Sequence, residues 1–398
     1  MPQSLIARYA PPTDLYAGSW VGRAWLPGAE GGPAVVALRP DGIFDITRSA
    51  PTVSALADQP DPAAFLRAAP LGVRLGSIEE LLANSDEGGR DETKPWLLAP
   101  IDLQAIKAAG VTFAASLLER VVEEQTKGDP AAADAVRRAL TAEIGTDLAR
   151  VKPGSKEAET LRDALMARGM WSQYLEVGIG PDPEIFTKAQ PLSAVGFGAM
   201  IGIHPKSVWN NPEPEIVLVI SSAGKIVGVT LGNDVNLRDF EGRSALLLSK
   251  AKDNNGSAAI GPFLRLFDDS FKLDDVRGAA VSLHVEGEDG FVMDGISSLA
   301  QISRDPTELV AASIGPNHQY PDGLVLFLGT MFAPTKDRGD AGGGFTHKRG
   351  DIVTIGSPKL GTLVNRVGFS DQIPPWRFGL RALMANLATR GLLDEKGS

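Results

Sequence analysis

The chain has no cysteine among its 398 residues, and it has only four histidines. Without cysteine it cannot form disulfides, use a thiolate nucleophile or hold zinc through sulfur ligands. The histidines, at positions 204, 284, 318 and 347, are scattered and form no His-x-x-x-His or His-x-His pair. A metal site built on histidine is therefore not expected.

Long apolar runs and an excess of positive charge are also missing. No segment approaches the roughly eighteen apolar residues of a membrane-spanning helix, and the N-terminus lacks the apolar core of a secretion signal. The formal net charge of −10 at pH 7 argues against nonspecific binding to nucleic acid. With 43% apolar and 22% charged residues, the composition is that of a folded globular protein. We expect a cytoplasmic enzyme or binding protein that contacts neither a membrane nor nucleic acid.

Two acidic residues stand at the start of the segment on which the functional prediction depends. Glu213 and Glu215 precede the apolar, β-branched run Ile216 to Ile220, which is typical of a β-strand. Side chains two residues apart in a strand point to the same face. Both carboxylates are therefore predicted to lie on one face of this strand.

A third carboxylate follows on a second predicted strand, which begins at residue 226 and leads to Gly232 and Asp234. If the turn is centred between residues 223 and 224, Asp234 lies opposite Glu213 and Gly232 lies opposite Glu215. Facing side chains have Cβ atoms about 4.5–5.5 Å apart, so three carboxylates converge around the space left by the glycine. Oxygen ligands with room for water suit Mg²⁺ or Mn²⁺, and the alternative is a solvated acidic hairpin.

An ordered series of motifs resembles the fumarylacetoacetate hydrolase superfamily over residues 95–370. The series comprises Ile185-Phe-Thr-Lys-Ala-Gln-Pro191, the Glu-x-Glu strand, Asn233-Asp-Val-Asn-Leu-Arg-Asp239, Lys252-Asp-Asn-Asn-Gly-Ser-Ala-Ala-Ile-Gly-Pro262 and Gly361-Thr-Leu-Val-Asn365. The resemblance implies a β-rich α+β fold, a mixed β-roll whose members commonly pair as dimers. A homodimer or a higher homo-oligomer is therefore expected.

The chain is predicted to contain two domains. Residues 1–92 alternate short apolar runs with turns and are predicted to form a small N-terminal α+β domain rich in strands. Residues 93–398 are predicted to form the catalytic domain of the superfamily. Residues from about 117 to 172 have a strongly helical pattern and are predicted to be an insert that serves as a lid or a subunit contact.

The resemblance also implies roles for residues at the matching positions. Glu213, Glu215 and Asp234 are expected to bind Mg²⁺ or Mn²⁺, and no organic cofactor is expected. Catalytic roles are implied for Lys252, with Lys250 as its alternative, and for Glu184 and Glu119. Substrate contacts are implied for Ser116, Lys188 and either Thr330 or Thr362. A lysine beside a divalent ion in a desolvated pocket is expected to have a lowered pKa.

The segment Gly110 to Glu119 departs from the superfamily at an informative position. The superfamily element Gly-x-Asn-Tyr-x-x-His-x-x-Glu aligns with it, so that Thr112 and Phe113 replace Asn-Tyr and Ser116 replaces the histidine. In the hydrolases that histidine is implied to activate water, and serine cannot act as a base near neutral pH. The chain therefore resembles the branch that dehydrates 2-keto-3-deoxy sugar acids. The expected reaction converts 2-keto-3-deoxy-D-xylonate or D-arabinonate to 2,5-dioxopentanoate.

Two alternatives remain open from the sequence. The chain could be a metal-dependent hydrolase or decarboxylase of acylpyruvates or oxaloacetate-like acids, with Glu119 recruiting water through Ser116. Its ligand is a small 2-oxo acid in either enzymatic case. It could also be an inactive binding or scaffold protein, although such a protein has no need to keep three clustered carboxylates together with Lys252.

Overall fold

The computed structural model of the chain describes residues 4–29, 31–127, 129–138, 151–167, 169, 171–330, 332, 334, 336–339 and 344–393. Within these residues, mixed β-sheets are flanked by helices, which confirms the predicted β-rich α+β class. None of the helices in these ranges is long and apolar enough to cross a membrane.

Short strands and helices alternate along the chain. The strands are β1 (Ser19–Leu26), β2 (Gly32–Arg39), β3 (Gly42–Asp45), β4 (Arg74–Gly76), β5 (Trp96–Leu98), β6 (Ala105–Ala109), β7 (Ile185–Ala189), β8 (Met200–Ile203), β9 (Pro214–Ile220), β10 (Ile226–Asp234), β11 (Ala258–Leu266), β12 (Ala280–Glu286), β13 (Val292–Ser298), β14 (Leu324–Phe327), β15 (Ile352–Ser357) and β16 (Gly361–Phe369). The helices are α1 (Val53–Ala57), α2 (Pro62–Ala68), α3 (Ile78–Ser85), α4 (Ala114–Gln125), α5 (130–138), α6 (Lys156–Ala167), α7 (Gln173–Ile179), α8 (Arg238–Glu241), α9 (Leu248–Lys252), α10 (Leu273–Arg277), α11 (Pro306–Ser313) and α12 (Leu380–Thr389).

The strands form two sheets. The larger sheet has the order β4-β3-β2-β1-β11-β10-β9-β14-β6-β7, and β5 pairs with β1. Its strands β9, β10 and β11 are antiparallel, whereas β14 pairs in parallel with β6. The smaller sheet has the order β13-β12-β15-β16-β8, with β16 parallel to β8. The hairpin that carries the predicted metal ligands is therefore central in the larger sheet.

The N-terminal strands continue the larger sheet. Strand β1 pairs with β11, and Trp20 lies opposite Arg265. Because β11 begins within the predicted Lys252–Pro262 motif, backbone hydrogen bonds join the N-terminal segment to the strand beside the predicted site. The domain division at residues 92 and 93 stays a prediction, and the sheet is continuous across it.

Alternating side chains of β9 enter two cores on opposite faces of the larger sheet. Even-numbered residues of Ile216–Ile220 join the core that includes β12 and β15 of the smaller sheet. Odd-numbered residues join the core that α1 and α2 cover. Glu213 and Glu215 share the parity of the second set, so their carboxylates lie on this second face, where β9 begins.

The β9–β10 hairpin has the predicted register at its open end. Gly232 lies opposite Glu215, and the N–H of Asp234 donates to the carbonyl of Glu213 at 3.0 Å. The turn itself is centred on Ala223, because residues 220 and 226 are paired. A bulge between residues 226 and 228 then shifts the pairing by one position. The predicted turn centre was therefore wrong, and the bulge restores the predicted pairing at the carboxylates.

Helices α4 and α6 of the predicted insert share an apolar core with α7, which begins directly after the insert. Leu117 of α4, Leu165 of α6 and Leu175 of α7 belong to this core, together with Trp209, which precedes β9. Within the predicted insert, α5 is described to residue 138, and residues 139–150 lie outside the described ranges. The insert therefore packs beside the start of the strand that carries Glu213.

Candidate metal centre

The hairpin brings the three predicted metal ligands together. Glu213, Glu215 and Asp234 are buried, and one oxygen from each lies within 4.8 Å of the other two. In octahedral Mg²⁺ sites the oxygens lie about 2.0–2.1 Å from the ion and hence roughly 3–4 Å from one another. Small side-chain shifts therefore suffice for the three carboxylates to occupy three positions of such an octahedron.

The space beside Gly232 is filled by apolar side chains, which contradicts the predicted gap among the carboxylates. A Cβ atom at this position would lie 2.4 Å from the ring of Phe327 and 2.5 Å from a methyl group of Val217. The glycine therefore allows the Phe327 ring of β14 to approach β10 closely. The ring and Val217 form an apolar layer next to the carboxylates, which limits their contact with water.

Lys252 lies among the predicted ligands. Its Nζ donates to Glu213 Oε2 at 2.6 Å and to Asp234 Oδ2 at 3.2 Å. Burial lowers the pKa of Lys252, but the charges of Asp234 and Glu213 outweigh burial and hold the pKa above its ordinary value. The expected lowering is thus not a property of the chain alone, since it depends on the charge of an added divalent ion. The alternative lysine, Lys250, is exposed and lies 5.2 Å from the ring of Phe240.

Lys188, for which a substrate contact was predicted, is fully buried beside Asp234. Its Nζ lies 2.8 Å from Asp234 Oδ1 and donates to the carbonyl oxygens of Val235, at 3.2 Å, and of Lys252. Two of the three N–H donors of the ammonium group therefore go to backbone carbonyls, and the contact with Asp234 is an ion pair. Lys188 thus supports a predicted metal ligand and the end of α9, and its contact with the substrate stays a prediction.

Arg120 contacts Glu213 from the side opposite Lys252. Its guanidinium donates to Glu213 Oε1 and to Glu123 Oε2, the latter at 2.7 Å, and lies 3.3 Å from Glu241 Oε2. Burial raises the pKa of Glu213, but the charges of Arg120 and Lys252 outweigh it and lower the pKa to about 2. Glu213 is therefore ionised at neutral pH, as a carboxylate ligand has to be.

A small buried space, which we call the chamber, adjoins the predicted ligands. Its lining includes Gly110, Arg120, Glu184, Phe186, Glu213, Glu215, Glu241, Lys252 and Thr330. A Cβ atom on Gly110 would lie 1.9 Å from Glu184 Oε2, so the carboxyl group occupies the space next to this glycine. Burial raises the pKa of Glu184 above its ordinary value and that of Glu241 to about 7. A raised pKa favours the protonated form of a carboxyl group, which is the form that a general acid needs.

The two positions implied in water activation make structural contacts. Ser116 Oγ donates to the carbonyl of Thr330 at 2.8 Å. Glu119 Oε2 accepts from Arg137 at 2.9 Å and from Arg238 at 2.8 Å, and Glu119 Oε1 accepts from Arg137 at 2.5 Å. Burial raises the pKa of Glu119, but the two arginines outweigh it and lower the pKa. A charged carboxylate held by two arginines is a poor base for activating water.

The two candidate threonines lie in different parts of the fold. Thr330 lines the chamber, and its hydroxyl donates to the carbonyl of Phe332 at 2.9 Å. Thr362 lies on β16, where its hydroxyl donates to the carbonyl of Ala10 at 3.1 Å and accepts from the N–H of Ala10 at 3.2 Å. The fold therefore brings Thr330 to the chamber and places Thr362 in the smaller sheet.

Carboxyl groups outnumber positively charged groups among the side chains connected to the chamber. We call this set the chamber network. Within the described ranges we define it as seven carboxyl groups, of Glu119, Glu123, Glu184, Glu213, Glu215, Asp234 and Glu241, and five cations, of Arg120, Arg137, Lys188, Arg238 and Lys252, leaving out the exposed Asp134–Arg138 pair that borders Arg137. Burial, together with the charges of Asp234 and Glu213, raises the pKa of Glu215 well above its ordinary value, so without a cation the protonated form is favoured. A divalent cation beside Glu213, Glu215 and Asp234 would favour their ionised forms instead, so the residues present fit such an ion.

Arg120 and Glu241 were not identified from the sequence. Arg120 forms an i,i+3 pair with Glu123 on α4, which in a sequence resembles an ordinary surface salt bridge. Glu241 follows Arg238 by one helical turn on α8. Neither spacing distinguishes a buried site residue from a solvated one, so the fold was needed to find both.

Sequence comparison matches part of the chain to a family profile. Residues 173–368 match the profile described as Fumarylacetoacetate (FAA) hydrolase C-terminal, which confirms the resemblance for this segment. A 2-dehydro-3-deoxy-D-arabinonate dehydratase of Saccharolobus solfataricus is 34% identical over 185 residues, or 46% of this chain and 58% of the relative. A probable 2-keto-3-deoxyxylonate dehydratase of Haloferax volcanii is 32% identical over 198 residues, or 50% of this chain and 64% of the relative. The match thus spans less than two thirds of either relative.

Solved structures extend the likeness to most of the chain. The apo form of a 2-keto-3-deoxy-D-arabinonate dehydratase gives a TM-score of 0.61 at 23% identity, covering 88% of this chain and 99% of that one. A dehydratase of the same name, complexed with magnesium and 2,5-dioxopentanoate, gives 0.56 at 22% identity, with the same coverage. At these identities the likeness shows a shared fold.

Proposed function

We propose that this chain is a lyase that dehydrates a 2-keto-3-deoxy pentonate to 2,5-dioxopentanoate. Its residues 173–368 match the profile of the fumarylacetoacetate hydrolase C-terminal family. The substrate is 2-keto-3-deoxy-D-xylonate or 2-keto-3-deoxy-D-arabinonate. Similarity to two relatives described as dehydratases of such acids supports the proposal. The solved dehydratase complexed with magnesium and 2,5-dioxopentanoate supports both the metal and the product. The proposal includes a homo-oligomer that acts in the cytoplasm.

The observation that carries the proposal is the composition of the chamber. Two of the three carboxylates able to hold a divalent ion, Glu213 and Glu215, line it together with Lys252 and Glu184, which are two groups able to exchange protons, and Asp234 lies directly beside them. Dehydration next to a ketone requires a site for the 2-oxo acid and a group that removes the C3 proton or stabilises the charge left behind. It also requires an acid that protonates the C4 hydroxyl.

Glu213, Glu215 and Asp234 would hold the ion, and Thr330 would contact the substrate carboxylate. When bound, Mg²⁺ supplies Lewis-acid chemistry, because it polarises the keto oxygen of a 2-oxo acid and acidifies the neighbouring C–H. The hydroxyl of Thr330 now donates to a backbone carbonyl, and it exchanges this partner for the substrate.

Lys252 and Glu184 divide the proton transfers between them. Lys252 takes the C3 proton or stabilises the negative charge that forms when this proton leaves, and both roles require its nitrogen. Glu184 gives its proton to the C4 hydroxyl, so that the C4–O bond breaks and water departs. The double bond then moves from C3–C4 to C4–C5 as C3 gains a proton and C5 loses one. Tautomerisation of this enol, which adds a proton at C4 and removes the hydroxyl proton, gives the C5 aldehyde.

The contacts of Ser116 and Glu119 disfavour the hydrolytic alternative. Hydrolysis of a carbon–carbon bond needs an activated water molecule, whereas dehydration releases one. The Ser116 hydroxyl is bonded to a backbone carbonyl, and Glu119 is held by two arginines. Elimination makes no demand on either side chain.

The test is a substrate panel with the full chain. 2-Keto-3-deoxy-D-xylonate, 2-keto-3-deoxy-D-arabinonate and an acylpyruvate are each incubated with Mg²⁺ or with EDTA, and the aldehyde is detected through a coupled semialdehyde dehydrogenase. We expect aldehyde from at least one pentonate, loss of it in EDTA, and none with Lys252→Met. Cleavage of the acylpyruvate without turnover of either pentonate would contradict the proposal.

A further inference from the structure

Each of the three predicted metal ligands has one carboxylate oxygen that a donor of the protein already holds. The pairs are Glu213 Oε1 with the guanidinium of Arg120, Glu215 Oε2 with the N–H of Gly329 at 2.8 Å, and Asp234 Oδ1 with Nζ of Lys188 at 2.8 Å. Lys252 contacts the second oxygens of Glu213 and Asp234. The oxygens of Glu213 and Asp234 that these three groups do not contact therefore meet at Lys252, and one oxygen of each carboxylate lies within 4.8 Å of the other two.

The three donors are fixed by contacts of their own. Gly329 donates through its backbone, next to strand β14. Lys188 is fully buried and also bonded to two backbone carbonyls. Arg120 is held by Glu123 and Glu241, and Glu123 in turn accepts from Arg238 at 2.6 Å. The carboxylates are therefore not free to turn without breaking these bonds.

A carboxylate with one oxygen held in this way offers a cation its other oxygen more readily than both. Mg²⁺ takes six oxygen ligands at about 2.0–2.1 Å, whereas Ca²⁺ takes about six to eight at 2.3–2.6 Å and often binds carboxylates through both oxygens. We propose that Arg120 is a positioning residue that keeps Glu213 a one-oxygen ligand and thereby makes the site select Mg²⁺ over Ca²⁺. This inference rests on the metal-dependent function proposed above.

Arg120 is the donor that a substitution can test cleanly. Gly329 uses its backbone, and Lys188 also holds the carbonyl of Lys252. Arg120→Met frees Glu213 to turn and offer both oxygens, but it also removes a positive charge near the ion. The lost charge strengthens binding of either divalent ion to a similar degree. The ratio of the Mg²⁺ and Ca²⁺ affinities therefore reports on positioning, while neither affinity alone does.

The experiment is calorimetric titration of the metal-stripped full chain with Mg²⁺ and, separately, with Ca²⁺. In Arg120→Met we expect the ratio of Mg²⁺ to Ca²⁺ affinity to fall about tenfold or more, the size of effect typical for partners of metal ligands. Arg137→Met is the matched control, because it removes a cation from the same network that contacts Glu119 and none of the three ligands. Its ratio should stay at the wild-type value.

A folded Arg120→Met protein with the wild-type ratio would overturn the inference. If circular dichroism shows that this variant does not fold, the double variant Arg120→Met/Glu123→Gln takes its place, since it removes a buried carboxylate along with the cation. A wild-type ratio of Mg²⁺ to Ca²⁺ affinity in the folded double variant would likewise overturn the inference. A wild-type chain that binds neither ion overturns the metal site and the proposed function as well. A wild-type chain that binds Mg²⁺ and forms aldehyde, with an unchanged ratio in the variant, overturns the role of Arg120 alone.

Discussion

The chamber network and a second, partly buried charged cluster differ in their balance of acidic and basic groups. The second cluster, which we call the Arg338 clamp, consists of Arg338, Asp289, Asp351, His347 and Lys348. The guanidinium contacts both aspartates, at 2.6 Å for Asp351 and 2.8 Å for Asp289, and Lys348 lies 2.8 Å from Asp289. His347 contacts Asp351 at 3.1 Å, and burial lowers the pKa of the imidazole, so it is neutral.

Two carboxylates meet two cations in the clamp, whereas seven meet five in the chamber network. Burying a charge without a partner is costly, so a fold gains nothing from an uncompensated excess. A balanced cluster is explained by stability alone. The surplus carboxyl groups of the chamber network bind protons, as the raised pKa values of Glu184, Glu215 and Glu241 indicate, or an added cation. This difference is our reason for assigning function to one cluster and structure to the other.

Removing a carboxylate from each cluster should have unequal effects on turnover. Glu215→Gln takes away a ligand, and a bound metal contributes several kcal/mol to the transition state. We therefore expect turnover of the pentonate to fall by roughly 10³-fold or more. Asp289→Asn, the matched change in the clamp, should leave turnover within about a factor of two. Equal losses in initial-rate assays would remove the distinction between the clusters.

Removing the cation of the clamp should affect stability without affecting the metal. Arg338→Met leaves Asp351, which is fully buried, without its guanidinium partner. We expect the free energy of unfolding in urea to fall by about 3–5 kcal/mol, while Mg²⁺ affinity stays unchanged. Arg138→Met, at an exposed pair, should cost less than about 1 kcal/mol. A loss of Mg²⁺ affinity in Arg338→Met would show that the clusters are coupled.

A methyl group at Gly110 should impair the acid while sparing the metal. The new Cβ would collide with Glu184 Oε2 and displace the carboxyl group from the chamber. General acid catalysis contributes about 10²–10⁴-fold, so we expect Gly110→Ala to lower kcat by about 10²-fold at unchanged Mg²⁺ affinity. Gly89→Ala is the control, because no atom lies within 4 Å of its added Cβ. Normal kcat in Gly110→Ala would exclude the predicted role of Glu184.

The smallest effect concerns the pH dependence of stability without metal. Burial raises the pKa of Glu241 to about 7, above the value of about 4.3 in an unfolded chain. The folded state therefore binds this proton more tightly, so the carboxyl group destabilises the fold above pH 7, and this penalty fades as the pH falls through 7 towards 4.3. In EDTA, the wild-type melting temperature should rise between pH 8 and pH 6 by more than that of Glu241→Gln. Parallel melting curves for the two proteins would contradict the raised pKa.

Much of this centre could be predicted because its signals are local. Glu213 and Glu215 are two residues apart on an apolar strand, and Asp234 lies one hairpin away. Even so, the register at the carboxylates was predicted correctly only because two differences from the predicted hairpin cancel. The turn is centred on residue 223, and a bulge between residues 226 and 228 shifts the pairing by one position. A bulge has no reliable sequence signal, so the pairing of Asp234 could not have been fixed by the turn alone.

The remaining features depend on contacts between distant segments. Arg120 meets Glu213 across 93 positions of the chain, and Lys188 meets Asp234 through two different strands. Thr362 resembled a substrate-binding threonine until the fold placed it against Ala10. Residue type and spacing suggest which side chains are catalytic or bind ligands. The burial and the contacts that determine whether a side chain can do so arise only on folding.

The most direct test of the account is deuterium exchange at C3 of the pentonate, followed by proton NMR in D₂O with Mg²⁺. If Lys252 acts at C3 and Glu184 at the C4 hydroxyl, Glu184→Gln should exchange the C3 protons faster than the enzyme-free control without releasing aldehyde. Lys252→Met should do neither. Aldehyde release by Glu184→Gln at the wild-type rate, or C3 exchange by Lys252→Met at the wild-type rate, would contradict this division of roles.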